Sequence, residues 1–418
     1  MDKTIFFEDI QILCKSGQPV YKDAVLIFQG LLDSFGQEAR SRAKELEINS
    51  QKKSNILLAP PLVDPHSILP EPLNGRCENL NSLKKAGASA GYGQIALLPR
   101  SKEFRDSPEK LHDFTNKSDN VNIHLWGNFS VEGKGERLSK QGDLLSNGSI
   151  GLADDDWLIN LSLLQKGLVI GEMNNRPILL APRDKSIQGN GIAREGVEAL
   201  RAGWNMDPRA SETIPLQQII ELQRQHQKRS IRVMNISTKE GVSILKKNPI
   251  SIISSVNWWH LITDQTMLSP CDMGWRVTPS LGNRGDRNAL INGIKDNIIS
   301  AISVHSVPLD DEEILLPPDK RLPGLSGHQL VLPLLWQELI VKEKLSIEKL
   351  WNLISFGPSK MIKSKEERLE TGSRRWILFD PDTSWTQTRH QKHFPNSANQ
   401  PLEGKKILGK VIMSGLKT

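Results

Sequence analysis

Short apolar runs that alternate with segments of helical spacing constrain this chain more than any other feature. The run ILLAPPLVDPHSIL starts at Ile56 and suits a strand buried on both faces of a sheet. Similar runs recur at 94–98, 122–126, 177–180, 231–236, 250–256 and 299–304. Between them lie helical patterns such as 216–227 and 239–247. Strand and helix in alternation make a parallel sheet with crossovers, and about eight such units close a TIM-type α/β barrel. The barrel is expected over 57–362, finished by helices at 330–345 and 347–355 and punctuated at Gly357-Pro358. Both ends of the chain are strand-rich, with IQILC and AVLIF early and WILFDPDTSW and GKKILGKVIMSG late. Residues 1–56 and 363–418 are therefore expected to form one small β-rich accessory domain, with the polar stretch 37–54 as a linker. The 418 residues suit this division, because such a barrel takes roughly 250 residues or more. No internal repeat is visible.

Composition narrows the function classes. Charged residues make up 24% and mean hydropathy is −0.38, which fits a folded, soluble chain. No apolar run reaches membrane-spanning length, and the start, MDKTIFFEDIQIL, has no secretory pattern. Cys14, Cys77 and Cys271 are sparse and form no CxxC pair, so neither a disulfide framework nor a thiolate zinc site is expected. A cytoplasmic location is the expectation. Net charge is +6, yet the cations are mixed with acids, as in KSKEERLETGSRR at 363–375. The denser RQHQKRSIR at 224–232 reads as a solvated helix end, and no recognition motif accompanies it, so nucleic acid is not expected as a partner.

Active sites of such barrels lie at the C-terminal ends of the strands, and the informative residues are there. The first barrel run ends in Val63-Asp64-Pro65-His66-Ser67-Ile68-Leu69-Pro70-Glu71-Pro72. This resembles the D-x-H-x-H-L-R-E-P signature of the dihydroorotase family, in the amidohydrolase superfamily. Asp64, His66, Leu69, Glu71 and Pro72 match; Ile68 stands at the second metal histidine and Pro70 at the substrate-binding arginine. Further segments resemble the family in the same order. The segment 86–101 matches with Arg100 in place of an asparagine, and LADDD at 152–156 resembles F-S-D-D-G, placing a metal aspartate at Asp154 or Asp155. RPILLAPRD at 176–184 has Ala181 at a metal histidine, and RVMNISTKEGV at 232–242 has Asn235 at the next. His260 survives in VNWWHL, while Thr278 and Gly282 replace an asparagine and an arginine in VTPSLGNRGDR. In AISVHSVPL the catalytic aspartate falls on His305 and the closing histidine on Leu309; Ser326 replaces the glutamate of G-L-E. The tail 380–415 resembles the return strands of the family's accessory domain.

The resemblance implies ring closure of N-carbamoyl-L-aspartate to dihydroorotate, with zinc activating a water and an aspartate moving the proton. It also implies that this chain lacks most of that equipment. Ile and Ala cannot ligate, and Asn is a poor zinc ligand. His66, Asp154 and Asp155 are the residual metal candidates, and His305 is a new imidazole at the aspartate's place. A pocket of Asp64, His66, Arg100, Arg183, Asn235, His260 and His305 is expected, with cations Arg100 and Arg183 at the mouth. The plainer alternatives are specific. Asp64 and His66 would form a hydrogen-bonded pair, 154–156 a solvated loop, His260 a satisfied core or rim residue, and 310–313 an exposed charge run. The expected function is a non-catalytic homologue that scaffolds or regulates a partner, by resemblance aspartate carbamoyltransferase, or that self-associates. No cofactor is then expected. The rival is an active cyclic amidohydrolase with a rebuilt zinc site; a third reading is a small-molecule sensor.

Overall fold

The computed structural model of the chain describes residues 4–51, 55–114, 121–269, 272–317, 319–389 and 395–416. Cys271 and a few residues of the expected linker and tail lie outside them. β1 (Ile5–Ile12), β2 (Tyr21–Phe28) and β3 (Leu31–Phe35) form an antiparallel meander, and β4 (Leu57–Ala59) pairs parallel to β1. The barrel begins with β5 (Leu62–Ser67), β6 (Tyr92–Leu97), β7 (Asn122–Asn128), β8 (Gly151–Ala153) and β9 (Pro177–Leu180). A two-stranded excursion, β10 (Ala193–Arg194) and β11 (Met206–Asp207), precedes β12 (Ser230–Val233), β13 (Ile253–Asn257) and β14 (Ala301–Ser303). β15 (Ile377–Thr386) and β16 (Lys406–Ser414) return to the first sheet, whose order is β16-β15-β4-β1-β2-β3. The two termini thus share one sheet, as expected. β4 belongs to it, although 57–59 falls inside the span expected for the barrel.

The eight barrel strands run β5-β6-β7-β8-β9-β12-β13-β14 with parallel neighbours. They bury both faces, which is why their apolar residues run on without alternation. Ile95, Ile178 and Ile231 pack in the cluster that holds helix residues such as Leu216 and Ile219. Val63, Ala96, Trp126, Leu179 and Ala301 form the second cluster, which fills the interior and is plugged by Met361 and Ile362. β5 and β14 close on each other through side chains. Asp64 Oδ1 accepts from Val304 N at 3.1 Å, Ser67 Oγ accepts from Ser306 N at 2.8 Å, and Ile68 N donates to Ser306 O at 2.8 Å. Pro65 has no N–H to donate, and the side chains of Asp64 and Ser67 join the backbone bond of Ile68 in closing this edge.

Two local expectations are corrected. The polar stretch 37–54 is not all linker, because Gly36–Glu45 is a helix. Its buried residues are Gly36, Ala39 and Ala43, and the two alanines pack on Phe6, Ala24 and Leu26, so an apolar count passes over it. Gly357-Pro358 does not end the helical region either. Ile347–Trp351 continues through a wide turn at Asn352–Phe356 into Gly357–Met361, and that turn accommodates the missing Pro358 N–H. Gly357 is required there, since a Cβ would stand 2.0 Å from Ser300 O. Among the described residues no helix is long and apolar enough to cross a membrane.

Candidate functional site

The strand ends meet in a buried polar chain. His66 on β5 places Nδ1 at 3.1 Å from His305 Nδ1 and Nε2 at 2.9 Å from Ser255 Oγ on β13. His305 Nε2 lies 3.0 Å from Asp156 Oδ1, and Arg183 Nη2 lies 2.8 Å from the same oxygen. These last two contacts are ion pairs by distance, without hydrogen-bond alignment. At the other end, Ser255 Oγ accepts from Asn235 N at 3.0 Å, and Ser303 Oγ donates to Asn235 Oδ1 at 2.7 Å. Which nitrogen of His66 donates in these two contacts is set by its tautomer, and a neutral ring can serve both. Asn235 and His305 reach these positions from left-handed backbone, with φ of 52° and 48°. That conformation costs an L-residue roughly 1–2 kcal/mol.

Burial, and after it the neighbouring His305, hold the His66 imidazole well below the usual histidine range, so it is neutral. For Asp156 burial alone would raise the pKa, but His305 and Arg183 outweigh it and keep the carboxyl ionised. Asp155 is pushed up by burial and by the adjacent Asp156, with Arg100 acting against both. Arg100 Nη1 stands 3.4 Å from Asp155 and 3.7 Å from Asp156.

Several expected residues are elsewhere. Asp64 and His66 do not pair: Asp64 serves the β5–β14 seam and faces His328 Nε2 at 3.3 Å. The 154–156 loop is not solvated, since Asp154 and Asp156 are buried. Asp154 is consumed by Phe129 N at 2.8 Å, Ser130 N at 2.9 Å and Ser130 Oγ, and burial pushes its pKa up to about 6 against those bonds. Arg183 is no free cation at the mouth, being 2% exposed and fixed to Asp156. His260 lies apart from the chain, with Nε2 3.1 Å from Pro279 O, and burial lowers its pKa to about 4. Asp311 and Glu312 are exposed, as expected, but 310–313 is not a loop: Asp310 and Glu313 close a capping box on the short helix Asp311–Ile314. Asp156, Ser255, Ser303 and His328 were not foreseen. The DDD triplet leaves its register open by one residue, and serines inside strands carry no pattern.

The donor set does not fit a zinc site. Structural or catalytic zinc wants at least three protein ligands. Ile68 and Ala181 lie in the apolar interior cluster, both ring nitrogens of His66 are engaged, and Asp154 is bonded to backbone. Among the described residues no group of three or more His, Cys, Asp or Glu could hold a metal ion. A cleft of about 540 Å³ is lined by Asp155, Asp156 and Trp157 together with Arg100, Lys185 and Arg276. His66, His305 and Ser255 are not part of its lining.

No family model matches the chain. It is 32% identical over 393 residues to a dihydroorotase-like protein of Synechocystis sp., covering 86% of this chain and 88% of that one. It is 23% identical over 404 residues to a dihydroorotase of Carboxydothermus hydrogenoformans, covering 94% and 92%. The fold is that of the L-hydantoinase (dihydropyrimidinase) from Arthrobacter aurescens, with a TM-score of 0.75 at 15% identity over 99% of this chain and 95% of that one. Barrel, terminal sheet and relatives agree, and the chain belongs to the dihydroorotase family of the amidohydrolase superfamily.

Proposed function

We propose that this chain is a non-catalytic member of its family, retained as a scaffold or regulator for a partner enzyme of pyrimidine biosynthesis. One observation carries the reading. Both nitrogens of His66 are spent on His305 and Ser255, so its ring offers no free nitrogen to an ion. Positions 68 and 181, where the family resemblance calls for imidazoles, are packed with hydrocarbon. Dihydroorotase chemistry relies on a metal-activated water together with a proton-moving carboxylate. Such parts cooperate, so losing several of them removes nearly all turnover rather than a fraction.

The test is complementation of a bacterial strain that lacks dihydroorotase. The native chain is expected not to support growth without added pyrimidine, at any supplied metal. Growth on the native chain alone puts an active cyclic amidohydrolase in first place. The partner of this reading is aspartate carbamoyltransferase, the enzyme whose product the family consumes. Mixed with that enzyme from the same cell, the purified chain is expected to co-elute on size exclusion as a larger species. Separate elution at micromolar concentration removes that partner from the reading.

A further inference from the structure

We propose that Arg183 is the resident cation of this barrel: its guanidinium, held on Asp156 at the buried end of the polar chain, excludes a divalent metal from the strand ends and does the structural work of one. This rests on the metal-free reading above, but its readout is metal content rather than turnover.

Arg183 follows β9 and is 2% exposed. Its Nε donates to Asp156 O at 2.7 Å while Nη2 stands 2.8 Å from Asp156 Oδ1, so one residue holds the fork at two points. The Trp157 ring lies 5.6 Å from the guanidinium carbon and covers it on the cleft side. A guanidinium does not give up its proton in a protein, so the positive charge is permanent. It sits where the low-dielectric interior strengthens every charge interaction. Asp156 is the carboxylate of the polar chain, and Arg183 and His305 already converge on its Oδ1. A divalent ion beside His66 and His305 would find that acid neutralised and a fixed like charge in place. Returning imidazoles to positions 68, 181 and 235 is therefore not sufficient to rebuild a metal site. Arg183 must go as well.

The test uses the full chain and cobalt(II), whose visible absorbance reports protein ligands. Three proteins are compared after desalting: the native chain, the variant Ile68→His/Ala181→His/Asn235→His, and the same variant with Arg183→Ala. Circular dichroism checks the fold of each. The native chain and the threefold variant are expected to stay colourless, and the fourfold variant to retain close to one cobalt per chain. A threefold variant that binds cobalt stoichiometrically overturns the proposal, and so does a fourfold variant that folds and stays colourless. If the fourfold variant does not fold, Arg183→Met in the threefold background decides, because the long apolar side chain keeps the packing and removes the charge. Close to one retained cobalt per chain supports the proposal, and a folded, colourless protein overturns it.

Discussion

Ile68 is 2% exposed within the interior cluster, where the resembled signature has a metal histidine. Ile68→His alone puts a polar ring among hydrocarbon without supplying the other ligands. The expected result is a loss of about 1–3 kcal/mol in denaturant unfolding and no gain of turnover. A restored dihydroorotase rate in this single variant contradicts the cooperative argument. Glu78 gives a pH-dependent prediction. Burial pushes its carboxyl up to about 7, against the Ser82 side chain and the Asn396 backbone. The folded state therefore binds this proton more tightly than the unfolded chain. The resulting stability is present below the ordinary glutamate pKa and is lost as pH rises through about 7. Each pKa unit corresponds to about 1.4 kcal/mol. Glu78→Gln should melt like the native protein near pH 4 and above it at pH 8, a gap that thermal melts across pH can read. His260, lowered to about 4 by burial, gives the opposite slope, its share being lost on acidification below the usual histidine range. Which residues would meet was only partly legible at this scale. His66 and His305 could be named from the motif order, but their contact depends on the left-handed backbone at His305, which no pattern announces. Asp156 was hidden by its two acidic neighbours, and Arg183 read as a mouth cation because sequence does not show burial.

Among the elements, the β5–β14 edge is the most exposed to a single change. Asp64 accepts from Val304 N and Ser67 Oγ and faces His328, all buried. Asp64→Ala leaves these donors without an acceptor at roughly 1–3 kcal/mol each, so a loss of several kcal/mol is expected. Hydrogen exchange should show the Val304 and Ser306 amides opening first while the β9–β12 ladder stays protected. Uniform loss of protection around the barrel contradicts this role. Strands and long helices were legible because their apolar runs are continuous or periodic. The pattern at 239–247 coincides with the observed helix Lys239–Lys247. Where burial rests on alanine, as in Gly36–Glu45, or where a wide turn absorbs a proline before Gly357–Met361, the pattern is silent. The excursion at β10 and β11 was also unseen. It is pinned by Arg194, fully buried, which pairs with Asp207 at 3.0 Å and Glu212 at 3.4 Å.

At the scale of the whole molecule, the fold is that of a hydantoinase and the sequence is similar to dihydroorotases, while the strand ends hold a buried polar chain. Fold and chemistry are separable, and only the site decides the second. The terminal sheet still reaches the mouth. Asn399, in the tail, accepts from Leu309 N at 3.0 Å and donates to Val307 O at 2.7 Å, bracing the segment that follows His305. That bracing explains how a tail motif can stay recognisable while the ligand positions change. The central claim is that this mouth is closed by its own side chains and holds no metal. Its most direct test is the metal content of the native protein, purified without chelator and desalted, by elemental mass spectrometry. The expected result is zinc and other divalent metals far below one per chain. About one tightly held ion per chain, lost when His66 is replaced by alanine, would contradict it.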